Sequence, residues 1–329
     1  MTPLRGTAGT AGTAGAAGGP ARAPSSFEIG LDQPFRLDLT VSALRRLPSN
    51  LVDVYTSEKE YLHAYTGARG PLVIRVSQPD RRTLAVEVDG GPCTGAEHED
   101  ARALVRRTLG VDSDVREFAR SSAGVPWLQP LARRLRGLRP PRYRSLWEAF
   151  VNAIVFQQVS LHAASSVVRR MILACGTPVE SRGTRLYLFP DAERVLAEPD
   201  DALRALGLSQ GKVSTLRRAG EAIASGALSE ALVESRSSAE AAELLRAIKG
   251  IGPWTASVIL LRGFGRLDVF PMNDSGVARN LALAAGQEAL EMEPLLETLG
   301  AYQGMLYFHL LLARLETRGE IGIPSAPAE

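Results

Sequence analysis

Residues 245–256 read LRAIKGIGPWTA and residues 268–274 read DVFPMND. In the first segment two helical patterns meet with only Gly250, Ile251 and Gly252 between them. A turn that tight needs residues free to take positive φ, and a missing Cβ also lets the backbone approach another molecule closely. Pro253 suits the first position of a new helix. The exposed N–H groups of that helix start, at the positive end of its dipole, form a ready anion site. In the second segment Asp274 precedes another helical pattern, SGVARNLALA. A carboxylate held at a helix N-terminus stays ionised, and it can face a cationic centre across a groove whose phosphates the hairpin holds. Beside an oxocarbenium-like sugar, one ionised acid is enough to assist cleavage of an N-glycosidic bond. Plainer readings use the same residues: an ordinary αα-hairpin with a Gly turn, and Asp274 as a helix N-cap.

The elements that must position these groups fall into two textures. From Phe27 to about Gly91 the segments FRLDLTV (35–41), YLHAYTG (61–67), PLVIRVS (71–77) and TLAVEVD (83–89) alternate apolar and polar residues between turn residues. They predict an antiparallel sheet with one covered face, and 97–109 reads as a helix able to cover it. After about Gly124 the pattern is helical throughout. Residues 146–174 read as one long helix or as two broken near Gln157–Gln158, and further helices are expected over 192–197, 200–206, 210–225, 238–248, 254–263, 274–284 and 302–316. The fold class is therefore α+β, with a β-rich N-domain joined to an all-α C-domain. The expected organisation is a low-complexity tail over 1–26, which has nothing to bury, a sheet-plus-helix domain over 27–124, a helical domain over 125–320 and a short tail over 321–329.

Composition narrows the chemistry. The 329 residues are 45% hydrophobic and 22% charged, ordinary for a soluble globular protein. No apolar run approaches the roughly 20 residues that span a bilayer, and the Gly/Ala/Thr-rich start does not read as a secretory signal. Two cysteines, Cys93 and Cys175, cannot build a disulfide framework, a structural zinc site or an iron–sulfur cluster, and four histidines make a multi-His metal enzyme a poor fit. These features point to a cytoplasmic, metal-poor protein. Net charge is only +2, but between Arg133 and Arg170 there are eight Arg and one carboxylate, Glu148. Such a stripe is either a solvated helix face or a phosphate-binding surface.

Residues 245–274 resemble the signature of the helix-hairpin-helix DNA glycosylase superfamily, a hairpin LxxIxGIGxxTA followed by the catalytic Asp. Residues 150–164 (FVNAIVFQQVSLHAA), 203–212 (LRALGLSQGK) and the 268–270 approach are similar to its 3-methyladenine DNA glycosylase II (AlkA-type) branch. The resemblance covers about 35–316, with sharp motifs from Phe150 onward. It implies an N-terminal antiparallel sheet domain (a TBP-like half) plus an all-α helix-hairpin-helix glycosylase domain. It also implies that Asp274 is catalytic and that Gly250, Ile251, Gly252 and Thr255 grip a backbone phosphate. Hairpin carbonyls of the family can hold a monovalent cation; no other cofactor or metal is required. Trp254 occupies the place where strand-cutting members carry a Schiff-base Lys. A Trp cannot form an imine, so the resemblance implies a monofunctional enzyme with water as nucleophile.

The implied partner is duplex DNA carrying alkylated purines of the 3-methyladenine and 7-methylguanine type, bound by a monomer and handled in base-excision repair, in the cytoplasm at the nucleoid. Alkylation makes the base cationic, so it leaves without an acid, and an electron-rich aromatic face recognises it. Trp254 and Tyr302 fall at pocket positions of the branch, and Val258 stands where the branch often carries a Tyr, implying a roomier pocket. Trp254 and Tyr302 also suit packed core. The wedge that holds the duplex open falls in the 157–160 loop, where Gln158 replaces an apolar Leu. Lys212 and Lys249 are further candidate DNA contacts, Lys212 equally well an ordinary surface charge. Two alternatives stay open: a glycosylase for a neutral base such as hypoxanthine or uracil, and a non-catalytic helix-hairpin-helix DNA-binding protein.

Overall fold

Strict alternation of apolar and polar residues builds a five-stranded antiparallel sheet from β1 (Ser25–Gly30), β2 (Asp53–Tyr55), β3 (Tyr61–Gly67), β4 (Gly70–Asp80) and β5 (Thr83–Asp89), in the spatial order β1-β5-β4-β3-β2. The computed structural model describes residues 25–68, 70–90, 93–272, 275–286 and 291–322. Pairing Tyr61 with Val76 and Ile74 with Val88 puts Tyr61, Ile74, Val76 and Val88 in the main core. The intervening Leu62, Ala64 and Val73 belong to a separate, smaller cluster, as period-two alternation requires. Ser25 and Ser26, expected in the N-terminal tail, already pair with β5; the tail residues before them lie outside the described part of the chain.

The first departure from expectation lies between β1 and β2. Residues 35–41 do not form a strand: Leu37–Arg45 is a helix, α1. Leu37, Val41 and Leu44 pack into the sheet-side core, while Leu39, Ala43 and Leu47 pack into a second, all-helical core. A helix buried on two faces is apolar at i, i+2, i+4 and i+7, so over its first residues it mimics the alternation of a strand. Helix α2 (Gly95–Leu109) then follows, entered through a capping box in which Thr94 accepts from the Glu97 N–H.

Beyond α2 run α3 (Arg116–Ala123), α4 (Leu128–Arg134), α5 (Leu146–Val155) and α6 (Leu161–Cys175). The helical texture is then interrupted by a β-hairpin, β6 (Thr177–Ser181) and β7 (Thr184–Leu188), which corrects the expectation of helix throughout. Its two turn residues, Arg182 and Gly183, both take positive φ, the geometry of a tight hairpin turn. Leu186 completes the smaller cluster of Leu62, Ala64 and Val73. Ser181 Oγ donates to Asp89 Oδ2 at 2.7 Å. The hairpin therefore covers the second face of the sheet along β3 and β4, while Ser26 and Glu28 of β1 stay exposed on that face.

The remaining helices are α7 (Ala192–Ala197), α8 (Asp200–Ala205), α9 (Gln210–Ala224), α10 (Glu230–Glu234), α11 (Ser238–Arg246), α12 (Pro253–Phe264), α13 (Ser275–Ala285), α14 (Met292–Leu299) and α15 (Gly304–Thr317), with a 3-10 turn at Gly300–Tyr302. Helix α5 is buried along its whole length, and α12 packs so closely on it that a Cβ at Gly263 would sit 2.9 Å from the Ala149 methyl. One apolar cluster runs from the sheet through α2 and α5 into α9 and α12, so sheet and helices share a core. Fully buried Arg262 of α12 reaches the end of α1, its Nη2 donating to the Ala43 and Leu44 carbonyls at 3.0 and 2.9 Å. Among the described residues no helix is long and apolar enough to cross a membrane.

Candidate nucleic-acid interface and active site

Helices α11 and α12 are joined by the glycine turn, and its two glycines sit in different surroundings. Gly250 has φ +104, and a Cβ there would fall on the Thr215 side chain of α9. It is required by the turn and by close packing. Gly252 has ordinary extended dihedrals, φ −88 and ψ 177, and a Cβ there would meet nothing within 4 Å. Nothing inside the protein demands glycine at 252, and the space beside it is open at the N-terminus of α12. Pro253 starts that helix, and the Gly252 carbonyl accepts the Ala256 N–H at 3.0 Å. Ile251 between them is 4% exposed and anchors the turn in the main core. Its side chain therefore faces the core, and its N–H is already donated to the Ile248 carbonyl at 3.0 Å.

Thr255 is likewise internal, 2% exposed. Its Oγ1 accepts from Gln157 Nε2 at 2.8 Å, and the same amide donates to the Gly250 carbonyl at 3.0 Å. Gln157 comes from the break between α5 and α6. That break follows from capping at both sides: α5 ends at Val155, and Ser160 caps α6 by accepting the Ala163 N–H. Between them Gln158 is exposed and takes φ +54, an unusual conformation for a residue with a side chain. Val159 beside it is 45% exposed.

Lys212, expected from sequence as a DNA contact, is directed inward. Its Nζ donates to the carbonyls of Val155 and Gln157, both at 2.9 Å, and burial lowers its pKa from the ordinary lysine value. Lys249 is exposed at the turn, and its carbonyl accepts from Arg218 Nη1 at 3.2 Å. The carbonyls of Ile248, Lys249 and Gly250 each accept a hydrogen bond already. A monovalent cation there would have to use their second lone pairs, beside the Arg218 charge.

Trp254 lies half-buried in the first turn of α12, against the main core. Val258, one turn further along, is 1% exposed and sealed inside that core, so it offers no open pocket wall. Tyr302 stands half-buried in the 3-10 turn, packed on the second core. The residues just after it hold the approach to Asp274: Gln303 Nε2 donates to the Asp268 carbonyl at 2.6 Å, and the Gly304 N–H to Leu267 at 2.7 Å. A Cβ at Gly304 would stand 2.6 Å from Leu261 Cδ1 and 2.9 Å from the Val269 carbonyl. Asp274 itself lies outside the described residues; α13 begins at the next residue, Ser275.

The arginine-rich stretch is not one surface. Arg139 is buried with Nη2 donating to the Pro34 carbonyl at 3.0 Å, Arg134 pairs with Glu316, and Arg170 Nε donates to the Leu206 carbonyl at 2.7 Å. Proximity in sequence put these charges together; the fold spends several of them as internal ties. Gln157, Gln303 and Gly304 are the residues that sequence reading passed over. For the first the available signal was the Gln157–Gln158 pair at a helix break; for the other two there was none.

Comparison with known proteins agrees with this geometry. A family model described as HhH-GPD superfamily base excision DNA repair protein matches residues 151–297, the span that contains the loop, the hairpin and α13. The chain is 34% identical over 194 residues to the "Probable bifunctional transcriptional activator/DNA repair enzyme AlkA" of Mycobacterium tuberculosis, which covers 58% of this chain and 38% of that protein. It is 26% identical over 213 residues to the DNA-3-methyladenine glycosylase of Bacillus subtilis, covering 64% of this chain and 70% of the relative. The solved 3-methyladenine DNA-glycosylase from Archaeoglobus fulgidus superposes with a TM-score of 0.71 at 27% identity, over 88% of this chain and 99% of that one. The first of these relatives is much longer, and this chain spans under two fifths of it. With the glycine hairpin, the α5–α6 break and the sheet domain all in place, residues 151–297 match the HhH-GPD superfamily of base excision DNA repair proteins, and the fold is similar to that of a solved 3-methyladenine DNA-glycosylase.

Proposed function

We propose that this protein is a monofunctional DNA glycosylase that releases alkylated purines from duplex DNA. The observation that carries the reading is the open N-terminus of α12 at Gly252, tied through Gln157 to a loop whose tip, Gln158, is exposed in a left-handed conformation. A backbone phosphate settles on the N–H groups of that helix start, with Lys249 beside it. The damaged nucleotide must leave the stack, at a cost of a few kcal/mol, and Gln158 enters the gap and can hydrogen-bond the orphaned base. The half-buried faces of Trp254 and Tyr302 receive the extruded, cationic purine. Because Val258 is closed off in the core, the two aromatic residues carry that recognition.

Asp274, the residue that precedes α13 in the sequence, stabilises the oxocarbenium-like sugar through its carboxylate as the glycosidic bond breaks. A purine already positive at N3 or N7 departs as a neutral base without a proton donor. Water then adds to the sugar and leaves an abasic site; Trp254 has no amine with which to intercept it. No step requires a metal or a bound cation, and one protein per lesion suffices.

The test is base release from methylated duplex DNA, run beside duplexes containing hypoxanthine, uracil or an oxidised base. Release of alkylated purines, lost in Asp274→Asn while duplex binding persists, is the expected result. Unimpaired turnover by Asp274→Asn, or release confined to neutral bases, would end the proposal.

A further inference from the structure

Helix α9 presents Lys212, Thr215 and Arg218 three residues apart, which puts them on one face. Each meets a different part of the site. Thr215 fills the space left by the missing Cβ of Gly250, Arg218 holds the Lys249 carbonyl, and Lys212 holds the carbonyls of Val155 and Gln157. Val155 is the last residue of α5, so its carbonyl is one that the helix leaves without an internal partner, and a cation is favoured there. The Gln157 carbonyl belongs to the peptide plane immediately before Gln158. Fixing that carbonyl fixes the plane about which Gln158 turns to φ +54.

We propose that Lys212 is a positioning residue: it sets the 156–160 loop against the hairpin and keeps Gln158 in the left-handed conformation from which it enters the duplex. This rests on the glycosylase reading above and on Gln158 as the wedge. The loop is pinned from two sides, by the Lys212 ammonium on its backbone and by the Gln157 amide reaching Gly250 and Thr255. The distance between wedge and phosphate site is therefore held by α9 together with the Gln157 amide. An ammonium engaged by two protein carbonyls at 2.9 Å is not placed to neutralise a phosphate. That separates this role from the surface contact expected from sequence.

Lys212→Met removes the donors and keeps the aliphatic stem. The expected result has three parts. Affinity for undamaged duplex and its salt slope stay at wild-type values, whereas removing a phosphate-neutralising charge lowers the slope by about 0.9. Single-turnover release of an alkylated purine falls by about 10- to 100-fold, as for other misplaced groups. Amide hydrogen exchange accelerates at residues 157–160 while the hairpin and α12 keep their protection. A slope lowered by about 0.9, or unchanged exchange at 157–160 together with unchanged release, would overturn the proposal. If Lys212→Met does not fold, Lys212→Gln, which retains one donor, reports the same slope, rate and exchange. The exchange measurement needs no catalysis. Wild-type protein that releases no base therefore defeats the glycosylase reading, while exchange at the loop still decides what Lys212 does.

Discussion

Gly250 and Gly252 look alike in the sequence and do opposite work. At 250 the backbone sits at φ +104 with Thr215 against it, so Gly250→Ala adds strain and a clash. We expect it to lower stability by about 1–3 kcal/mol in denaturant unfolding. At 252 the backbone is ordinary and the space open, so Gly252→Val should stay within about 1 kcal/mol of wild type. Its effect should fall on DNA: weaker binding with a shallower salt dependence, because the bulkier side chain keeps a phosphate off the helix start. Equal stability losses in the two variants would show that Gly252 also serves the fold. Asp274 and Lys212 carry the other tests at this scale, through base release and through loop exchange. Ile251 and Thr255 show the limit of reading motif residues one by one. A family motif holds anchors as well as ligand-facing groups, and which is which depends on the side a residue faces.

At the scale of elements, the segment leading to Asp274 is built by its neighbours. The stretch 267–272 takes its hydrogen bonds from Gln303 and Gly304, and Gly304 lets it lie close against α12. Gly304→Ala forces Leu261 or the 267–269 backbone to move, at about 1–3 kcal/mol of stability. We expect single-turnover base release to drop further than duplex affinity, since the hairpin is untouched. A variant with wild-type release and a lowered melting temperature would confine Gly304 to packing. The break at 156–160 and most helix limits could be read from caps and periodicity, because those signals are local. The strand expected at 35–41 and the unseen β6–β7 hairpin could not. Burial on two faces gave α1 the alternation of a strand, and the hairpin's short apolar runs find their partner in β3, more than a hundred residues earlier.

At the scale of the whole molecule, two buried ionisable groups carry a cost that depends on pH: Glu148 where sheet and helices meet, and His309 in the all-helical core against Phe118. Burial, and then the charge of Asp53, push the Glu148 carboxyl up to about 8. Burial alone pushes His309 down to about 4, against the hydrogen bond to the Met305 carbonyl. Glu148 stays protonated in the native state while its unfolded form ionises above 4.5, so its contribution is lost as pH rises toward about 8. His309 stays neutral while its unfolded form protonates below 6.5, so its contribution is lost as pH falls toward about 4. Between 4.5 and 6.5 the two slopes oppose each other, and from 6.5 to 8 Glu148 acts alone. Glu148→Gln should therefore flatten the fall of stability over pH 6.5–8 in denaturant titrations; a wild-type profile in the variant would remove Glu148 from the account.

The order of residues was enough to place the hairpin and the α+β class, because each follows from local rules: a turn that needs glycine, a helix start that needs Pro or a cap, an alternation with period two. It was also enough to match the superfamily, whose signature lies within one contiguous stretch. Folding settled which way the candidate side chains face. Lys212 and Thr255 turned inward, Val258 closed into the core, and several arginines of the stripe became ties within the protein. Those outcomes depend on which helix packs where, and on the need of buried donors and carbonyls to find partners 36 to 182 residues away along the chain. No window along the chain contains both ends of such a bond.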